Sequence, residues 1–522
     1  MYKAKLSTLI SSYPQIIARD YSDAVITGIV LDSRHVEPGN LFVALEGGIT
    51  DGHHFIPEAI DRGAAAVVGT QSIGPLQVPY LLVEDGRHAL AYLSAAYHGF
   101  PTRNLAVIGV TGTDGKTTTA NLIFEILQAA GIQAGLISTV NAQFGERVLD
   151  TGFHVTTPEA PDVQRYLAEM VAAGITHVVL EATSHGLDQQ RVVGCDFDLG
   201  VVTNITHEHL DYHGNYDAYR TAKGRLFSEL AVTHQKEQGN PRLAVLNRDD
   251  SSYEYLRDLV QNLDPAVRIV TYGLRSAVDV NAVDIISHPQ GLRFTTQIGK
   301  QDIDIQSNLV GEYNVSNCLA AIAATVAGLG LEGRAAQQGI ANLQGIPGRM
   351  EVIDKGQDFL AIVDFAHTPN ALKRALQTSR QITKGKVIAV FGSAGLRDRE
   401  KRRIMAQVSA QMADLTVLTA EDPRTESLES ILAEMAAGAK SQGGQEGETF
   451  WQLPDRGQAI KFALKLAKSG DVVISCGKGH EQSMCFGEVE YPWDDRIAMQ
   501  AALTEHLGLS GPQMPYLPTQ DV

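Results

Sequence analysis

A short segment, the phosphate loop Gly112-Thr-Asp-Gly-Lys-Thr-Thr118, has the residue types of a site for nucleotide phosphates. Glycines allow a tight turn whose backbone N–H groups point at an anion, and a helix that starts after the turn adds the positive end of its dipole. Lys116 could reach the outer phosphates, and a Thr hydroxyl could ligate Mg²⁺. Gly109 lies one residue too early for the standard G-x-x-x-x-G-K-S/T pattern, so only the shorter Gly-x-x-Gly-Lys-Thr-Thr form is present. We predict an ATP site here, with an ordinary strand–turn–helix corner as the alternative.

Acidic and histidine side chains elsewhere have the chemistry to hold metal ions. Glu181 follows the apolar run Val178-Val-Leu180. In an ATP-binding domain a carboxylate at such a strand end is expected to contact Mg²⁺, although most strand-end glutamates are simply solvated. Three histidines lie close together in the chain: His207, His209 and His213. They lack the cysteine or carboxylate spacing of a closed zinc site, so we favour one of them as a ligand of a second Mg²⁺.

A mainly parallel sheet would bring these residues together. Apolar runs predict strands in the middle of the chain, with helices between the earlier ones, at residues 105–110, 177–181, 199–203, 243–246 and 269–272. The polar residues that follow such strands lie at one edge of the sheet, where ligands bind. A second alternating series predicts strands at residues 360–365, 387–391, 415–418 and 472–475, followed by turns that carry basic residues.

The chain is too long for one hydrophobic core, and we predict an α/β protein of three domains. They are a small α/β domain at 1–103, a central P-loop ATPase domain with a mainly parallel sheet at 104–346, and a doubly wound, Rossmann-like domain at 347–522. Pro347-Gly348 marks the second boundary. The polar, Pro-containing tail from Gly508 is predicted to be loose.

Composition argues against several classes of protein. A net charge of −17 over 522 residues speaks against nucleic acid or an anionic membrane as a partner. The first residues lack the apolar core of a signal peptide, and no stretch approaches the length of a membrane span. The four cysteines are scattered and are interpreted as reduced thiols. We expect a cytoplasmic monomer.

The ordered series of motifs resembles the Mur ligases, the cytoplasmic enzymes that build the peptide stem of peptidoglycan. The resemblance covers nearly the whole chain and rests on segments at 112–118, 181–187, 209–213, 311–317, 347–351, 364–369 and 477–481. Within the family, His185-Gly-Leu, Asp364-Phe-Ala-His and Gly477-Lys-Gly-His-Glu481 resemble the members that add a diamino acid as the third residue. Their acceptor is UDP-N-acetylmuramoyl-L-alanyl-D-glutamate, the UDP-dipeptide.

The resemblance implies a two-step ligation. ATP phosphorylates the side-chain carboxylate of D-Glu to an acyl phosphate, and the amine of the diamino acid then displaces phosphate, so positioning and charge neutralisation dominate catalysis. The catalytic residues it implies are Lys116, Glu181, His209 and Lys223. Thr117 and Glu181 would hold one Mg²⁺, and His209 with a carbamylated Lys223 would hold a second; taken alone, Lys223 is an ordinary surface lysine on a helix. The residues implied to bind ATP are Gly112, Thr113, Asp114, Gly115, Lys116, Thr117, Thr118, Asn314 and Arg349.

Two further sets of residues are implied to bind the other substrates. Those that match the family's contacts to the UDP-dipeptide are Leu31, Ser33, Gly48, Ile49, Thr50, Thr156, Thr157, Thr183, Gln189 and Arg191. Those that match the contacts to the incoming amino acid are Arg397, Glu421, Asp422, Pro423, Arg424, Gly477 and Glu481. Arg191 also suits an anionic peptide carboxylate, because a guanidinium can donate two parallel hydrogen bonds.

The choice of amino acid depends on the Glu-Asp-Pro-Arg segment at 421–424. Family members that use meso-diaminopimelate typically carry Asp-Asn-Pro-Arg, whose arginine grips the second carboxylate. Arg424 therefore favours diaminopimelate, whereas the two acidic residues would suit the cationic side chain of lysine or ornithine. Ser393-Ala-Gly-Leu396 is less rich in glycine than the family loop, and Asp114 replaces the commoner asparagine. We predict diaminopimelate, with lysine and ornithine as alternatives.

Two other interpretations retain part of the same motifs. A folylpolyglutamate or cyanophycin-type ligase would share the phosphate loop and activate a carboxylate similarly, but a folate enzyme would have no use for a uridine-binding first domain that includes residues 31–52. A nucleotide-dependent scaffold without catalysis would leave Glu181, His209 and Lys223 without a purpose.

Overall fold

A computed structural model of the chain describes residues 2–13, 15–17, 22–47, 50–145, 147–149, 157–206, 208, 210–288 and 290–521. The chain divides into two compact units. The first comprises Met1–Val280 and Ala320–Ala335, and the second comprises Asn281–Leu319 and Ala336–Val522.

The first hundred residues of the first unit contain a small parallel sheet. Their strands and helices are β1 (Ala4–Lys5), α1 (Leu6–Ser12), β2 (Val25–Ile26), β3 (Gly28–Val30), β4 (Asn40–Val43), α2 (Ile56–Asp61), β5 (Ala66–Gly69), β6 (Tyr80–Leu82) and α3 (Gly86–Tyr97). Strands β3 to β6 lie side by side in chain order and run parallel. Leu41, Val68 and Leu81 are fully buried in the core of this sheet.

The rest of the first unit is built on a larger sheet. Its elements are β7 (Ala106–Thr111), α4 (Lys116–Ala129), β8 (Ala134–Ile137), β9 (Ala142–Phe144), β10 (Arg147–Leu149), α5 (Ala160–Ala172), β11 (His177–Glu181), α6 (Ser184–Asp188), β12 (Leu199–Val202), α7 (Leu210–His213), α8 (Tyr216–Val232), β13 (Leu243–Asn247), α9 (Tyr253–Gln261) and β14 (Arg268–Gly273). These strands follow the order β10-β9-β8-β11-β7-β12-β13-β14. From β8 to β14 neighbouring strands are parallel, whereas β9 and β10 are antiparallel. Strands β7, β11 and β12 are almost entirely buried, which explains their continuous apolar runs.

The register of this sheet brings three strand ends to one edge. Glu181 pairs with Val110, and Val202 pairs with Thr111. The phosphate loop, Glu181 and the loop after β12 therefore emerge side by side. This edge is where a parallel sheet of this type binds ligands.

The second unit has a separate, six-stranded sheet. The elements from residue 280 onward are β15 (Val280–His288), β16 (Gly291–Ile298), β17 (Gln301–Ser307), α10 (Tyr313–Ile322), α11 (Gly333–Asn342), β18 (Glu351–Val352), β19 (Leu360–Asp364), α12 (Pro369–Ile382), β20 (Val387–Phe391), α13 (Arg399–Met412), β21 (Leu415–Leu418), α14 (Leu428–Lys440), β22 (Phe450–Gln452), α15 (Arg456–Leu466), β23 (Val472–Cys476), β24 (Ser483–Phe486), β25 (Val489–Pro492) and α16 (Asp495–Leu507). Five strands in the order β19-β23-β20-β21-β22 are parallel, and β18 is antiparallel to β19. Strands β20 and β23 are buried throughout and form the centre of its core.

The α/β class, the mainly parallel central sheet and the doubly wound last region agree with the sequence-based prediction. The strands lie within one or two residues of the predicted ones. The domain boundaries at 103 and 346 stay a prediction. The prediction of a loose tail was wrong: Leu517 is fully buried, and Thr519 Oγ1 donates to Asp455 Oδ2 at 2.8 Å. Leu517 and the partly buried Met514 anchor this segment to the core. In the part of the chain that the structure describes, no helix has the length and apolar character to span a membrane.

Candidate active site

The phosphate loop joins β7 to α4, as predicted. Gly112 has a φ of 147° and Gly115 a φ of 81°, conformations that residues with side chains rarely adopt. A Cβ on Gly112 would lie 1.9 Å from Thr203 Oγ1, so only glycine fits there. Lys116 is the first residue of α4, and its Nζ donates to Thr113 O at 2.8 Å. The loop therefore presents a helix N-terminus together with an ammonium group, which suits phosphate binding.

The loop after β12 holds the phosphate loop in shape. Thr203 Oγ1 and Asn204 Nδ2 both donate to Asp114 O, at 2.6 and 3.0 Å. Asn204 Oδ1 accepts from Asp114 N at 3.1 Å, and Asn204 O accepts from Thr113 N at 2.6 Å. Two N–H groups of the turn are thus already bonded within the protein, so the N–H groups at the start of α4 are the ones that could bind an anion. Asn204 was not identified from the sequence, where it reads only as a loop residue.

The structure brings together the two residues predicted to hold the first Mg²⁺. Thr117 Oγ1 donates to Glu181 Oε2 at 3.0 Å, and Thr139 N donates to the same oxygen at 3.3 Å. Glu181 is only 1% exposed, and its Oε1 has no hydrogen-bond partner among the described residues. A buried carboxylate oxygen in that state is costly unless a cation binds it. This pair therefore has the chemistry of a cation site.

Lys223 lies on α8 but is buried, so its interpretation as a surface lysine is wrong. Its Nζ donates to Gly112 O at 2.5 Å and lies 4.6 Å from the centre of the Tyr219 ring. Burial first, and then the positive charge of Lys116, lower the pKa of Lys223 well below its ordinary value. The ammonium is thus placed against the phosphate loop, in surroundings that disfavour its charge.

The histidine cluster is described only in part. His207 and His209 lie outside the described residues, so His209 stays a predicted metal ligand. His213 ends α7, and its ring centroid lies 5.3 Å from that of Tyr219. Because Tyr219 also contacts Lys223, this part of the cluster lies close to the phosphate loop.

Four residues predicted to bind the UDP-dipeptide form one group. Thr157 Oγ1 lies 3.0 Å from Thr183 Oγ1, and Arg191 donates to Thr157 O at 2.7 Å and to Gln189 Oε1 at 2.8 Å. Arg191 also pairs with Glu159 at 2.7 Å. The guanidinium is therefore held in place, and an anionic ligand would share it with Glu159.

The remaining predicted contacts to the UDP-dipeptide belong to the small sheet or fall outside the description. Those outside the described residues are Gly48, Ile49 and Thr156. Leu31 follows β3, and Ser33 lies in the next turn, where its Oγ donates to Glu58 Oε2 at 2.9 Å. Thr50 is exposed and accepts a backbone hydrogen bond from Gly47. The structure therefore places Leu31, Ser33 and Thr50 in the small sheet's loops, whereas the Thr157 group belongs to the central sheet.

Two predicted nucleotide contacts lie in the second unit and differ in how far they are already bonded. Asn314 Nδ2 donates to Val310 O at 2.8 Å, and Asn314 Oδ1 accepts from Asn317 Nδ2 at 2.8 Å. The Arg349 guanidinium lies 4.5 Å from the centre of the Phe365 ring, and its Nε has no hydrogen-bond partner in the described part of the chain. Asn314 therefore shapes the start of α10, whereas Arg349 offers a donor to a ligand.

The residues predicted to contact the incoming amino acid gather at one edge of the second sheet. A Cβ on Gly395, two residues before Arg397, would lie 2.0 Å from Pro423 O. A Cβ on Gly477 would lie 2.2 Å from Glu421 Oε2. The Glu-Asp-Pro-Arg segment thus contacts both the loop after β20 and the loop after β23. Arg397 itself is exposed.

A buried lysine that the sequence did not identify balances the acidic residues here. Lys478 Nζ lies 3.0 and 3.1 Å from the two carboxylate oxygens of Asp422 and 2.6 Å from Glu481 Oε2. The charge of Asp422 is therefore neutralised within the protein. The expectation that Asp422 adds free negative charge for a cationic substrate does not agree with this contact.

Glu421 behaves differently from Asp422. Burial raises the pKa of the Glu421 carboxyl to about 7, and its Oε2 has no hydrogen-bond partner among the residues described. Asp422 and Arg424 have φ values of 41° and 55°, conformations that residues with side chains adopt rarely and that cluster at functional sites. The segment is thus held in a strained shape around a partly protonated acid.

A second buried ion pair braces the same edge. Arg456 and Asp495 are fully buried and lie 2.6 Å apart. Arg456 also donates to Ala420 O at 3.1 Å and to Cys476 O at 2.8 Å. These carbonyls immediately precede the Glu-Asp-Pro-Arg segment and Gly477, so one guanidinium fixes both loop origins. No sequence signal marked Arg456, because an arginine at a helix start is usually exposed.

The geometry combines a phosphate loop of the kind that binds nucleotides with a separate doubly wound region. Sequence profiles described as "Mur ligase family, catalytic domain", "Mur ligase middle domain" and "Mur ligase, glutamate ligase domain" match residues 25–98, 110–325 and 348–479. The chain belongs to the Mur ligase family.

Relatives of nearly full length define the similarity further. The chain is 41% identical over 501 residues to the UDP-N-acetylmuramoyl-L-alanyl-D-glutamate--2,6-diaminopimelate ligase of Geobacillus thermodenitrificans, covering 96% of this chain and 99% of the relative. It is 43% identical over 495 residues to the UDP-N-acetylmuramyl-tripeptide synthetase of a Roseiflexus species, covering 93% and 96%. A solved structure of a UDP-N-acetylmuramoyl-L-alanyl-D-glutamate--2,6-diaminopimelate ligase matches with a TM-score of 0.66 and 31% identity, covering 96% and 99%. The predicted fold class is confirmed.

Proposed function

We propose that this chain is an ATP-dependent ligase that adds meso-diaminopimelate to UDP-N-acetylmuramoyl-L-alanyl-D-glutamate in peptidoglycan precursor synthesis. The observation that carries the proposal is the meeting of Thr117 and Glu181 beside the phosphate loop, where a nucleotide with its cation would bind. The relative at 41% identity, whose name states these two substrates, supports it.

The proposed reaction turns a carboxylate, a poor electrophile, into an amide. An oxygen of the D-Glu carboxylate attacks the γ-phosphorus of ATP, the bond to the bridging oxygen breaks, and ADP leaves. The amine nitrogen of diaminopimelate then attacks the acyl carbon, loses a proton, and inorganic phosphate leaves. Lys116 and the N-terminus of α4 would orient the phosphates and offset their charge.

Mg²⁺ fits the residues at this place. Glu181 offers a buried carboxylate oxygen that no group among the described residues contacts by a hydrogen bond, and the Thr117 hydroxyl lies against the same carboxylate. Oxygen donors of this kind suit a hard cation. We assign Thr117 and Glu181 to this ion, which would neutralise phosphate charge when bound.

A carbamate on Lys223 is part of the proposal. The support is its position, buried on α8 with Nζ against Gly112 O. Attack of the neutral amine on CO₂ forms a C–N bond, releases a proton and gives an anion, so a cation is removed from beside the metal. With His209, this carbamate would hold a second Mg²⁺.

The second unit supports diaminopimelate over lysine or ornithine. Arg424 would pair with the distal carboxylate of the incoming amino acid, together with Arg397 in the adjoining loop. Asp422 is neutralised by Lys478, and Glu421 is only partly ionised near pH 7. Lys478 also pairs with Glu481, so Lys478 and its two acidic partners keep one net negative charge, which the guanidinium groups of Arg397 and Arg424 would offset.

The division of labour follows the predicted domains. Residues 1–103 together with the Thr157 group would bind the UDP-dipeptide, residues 104–346 would bind ATP with a contribution from Arg349, and residues 347–522 would bind the amino acid. We propose that the protein acts in the cytoplasm, where ATP and UDP-linked precursors are supplied. It would act as a monomer, without nucleic acid or membrane as a partner.

The test is product identification. The purified protein is supplied with MgATP, bicarbonate and the UDP-dipeptide, together with meso-diaminopimelate, L-lysine or L-ornithine, and the product is identified by mass. We expect ADP and the diaminopimelate-extended product in equal amounts, and no extension without ATP. Preferred extension by lysine would refute the assignment of diaminopimelate as the substrate. No extension by any of the three amino acids would refute the ligase assignment.

A further inference from the structure

We infer that Lys478 is a positioning residue that sets the amino-acid preference of the proposed ligase, by neutralising Asp422 and fixing Glu481. The inference rests on the proposed function and adds to it a residue that contacts two of the predicted amino-acid ligands from inside the protein. It explains how a site with an extra acidic residue retains the preference for a substrate that carries a distal carboxylate.

The contacts of Lys478 are those of a counter-ion enclosed by the protein. Its side chain is fully buried, while those of Asp422 and Glu481 are 9% and 22% exposed. The ammonium lies almost equally far from both oxygens of Asp422, at 3.1 and 3.0 Å, and 2.6 Å from Glu481. Asp422 Oδ1 also accepts from Cys485 N at 2.9 Å. Both oxygens of Asp422 are thus used within the protein.

The charge balance of this cluster follows from these contacts. Burial alone would lower the pKa of Lys478, but the carboxylates of Glu481 and Asp422 outweigh it and hold the pKa above its ordinary value. One cation and two anions leave a single net negative charge. Loss of Lys478 would leave two adjacent anions, one of them buried and the other partly exposed. Those anions would repel the distal carboxylate of diaminopimelate and attract the distal ammonium of lysine.

Two substitutions that change the charge of this cluster distinguish a positioning role of Lys478 from a purely structural one. Lys478→Met keeps an unbranched side chain of nearly the same length and removes its ammonium group, with both the charge and the hydrogen-bond donors. Asp422→Asn in addition restores the single net negative charge that the native cluster has. The loss of a merely structural lysine could also be repaired by removal of the acid that it neutralises, but it would not favour one amino acid over another. The ratio of the two substrates is therefore the deciding measurement.

The experiment measures kcat/KM for diaminopimelate and for lysine with native protein, K478M, D422N and the double variant, and the Kd of each for MgATP. We expect the diaminopimelate-to-lysine ratio to fall at least tenfold in K478M and to return to within threefold of native in the double variant. D422N alone should retain or raise the ratio. The Kd for MgATP should change less than twofold throughout. Lys465→Met, at an exposed lysine on α15, is the matched control and should resemble native protein.

Each alternative result has a distinct meaning. Equal losses for both amino acids in K478M, with or without recovery in the double variant, would overturn the inference. If K478M fails to fold, the double variant and D422N still decide, because a lowered ratio in either contradicts the charge argument. If native protein extends the UDP-dipeptide with neither amino acid, the proposed function fails first and the inference falls with it.

Discussion

The phosphate loop and the Glu-Asp-Pro-Arg segment both follow strands of a parallel sheet, yet they treat charge in opposite ways. At the phosphate loop, Glu181 keeps a buried carboxylate oxygen that no described residue contacts by a hydrogen bond, and the buried Lys223 Nζ donates to a backbone carbonyl. In the second unit, Lys478 neutralises Asp422. The first site leaves Glu181 to be balanced by a ligand, whereas the second pairs Asp422 with a lysine of the protein itself.

This difference matches what each site is proposed to do. A site for a triphosphate and metal ions has to keep strong charges available, because its ligands bring the opposite charge. A site that distinguishes between similar amino acids gains more from fixed geometry, because rejection depends on misplaced or unpaired groups. Changes at the phosphate loop should therefore stop the chemistry, while changes in the second unit should alter which amino acid is used.

The largest expected effect is that of Lys116→Ala. Loss of the ammonium at the start of α4 should lower ADP formation in the complete reaction by about 10³-fold, because the positive charge that offsets the phosphates in the transition state is lost. The rate is measured as ADP release with the UDP-dipeptide and diaminopimelate. Lys300→Ala, at an exposed lysine in the turn between β16 and β17, is the control. An undiminished rate would remove the phosphate loop from the mechanism.

Lys223→Ala should be the next most damaging change, with a loss of roughly 10²-fold or more. If a carbamate acts there, short carboxylic acids such as formate or acetate should restore part of the activity, because a small carboxylate can occupy the space of the missing group. The measurement is ADP release across an acid titration. The same acids should not restore Lys116→Ala. A fully active Lys223→Ala variant would contradict the assigned role.

Arg424→Ala tests whether the Glu-Asp-Pro-Arg segment selects the amino acid. A charge-assisted hydrogen bond to the distal carboxylate is worth about 1.5–3 kcal/mol, so kcat/KM for diaminopimelate should fall about 10- to 150-fold. Lysine lacks that carboxylate and should lose less than about threefold. Arg334→Ala, at an exposed arginine on α11, should leave both values unchanged. Equal losses for the two amino acids would mean that Arg424 does not read the carboxylate.

The last expected effect is on stability rather than on rate, and it concerns Glu421, whose Oε2 has no hydrogen-bond partner among the described residues. Its pKa rises from 4.5 to about 7 on folding, so its contribution to stability is fully present below pH 4.5 and is lost as the pH rises through 7. The free energy of unfolding of native protein should therefore fall between pH 5 and pH 8 relative to that of Glu421→Gln. The difference between the two proteins should change by up to roughly 3 kcal/mol over this range, in favour of the variant. Denaturant unfolding at the two pH values measures this. Glu448→Gln, at an exposed position, should change in stability with pH as native protein does. If Glu421→Gln also follows native protein, the raised pKa of Glu421 is refuted.

The sequence predicted what depends on local pattern and missed what depends on distant contacts. Apolar runs located the buried strands, and the glycines of the phosphate loop located its turn. Lys223 resembles any helix lysine, because its burial depends on how α8 packs. The neutralisation of Asp422 depends on Lys478, 56 residues further on, and no periodicity links the two. The anchored tail depends on Leu517, which is fully buried, and on Met514, which packs against the same core.

The contact between Gly395 and Pro423 O has a consequence for attempts to change the substrate range. Any side chain at position 395 would displace the Glu-Asp-Pro-Arg segment, since its Cβ would lie 2.0 Å from that carbonyl oxygen. Because the loop that carries Arg397 contacts the segment that carries Arg424, a change in the backbone of one loop would also move the arginine of the other. A change of the third residue of the stem peptide by design would therefore require both loops to be replaced together. Relatives that use a different amino acid should likewise differ in both loops.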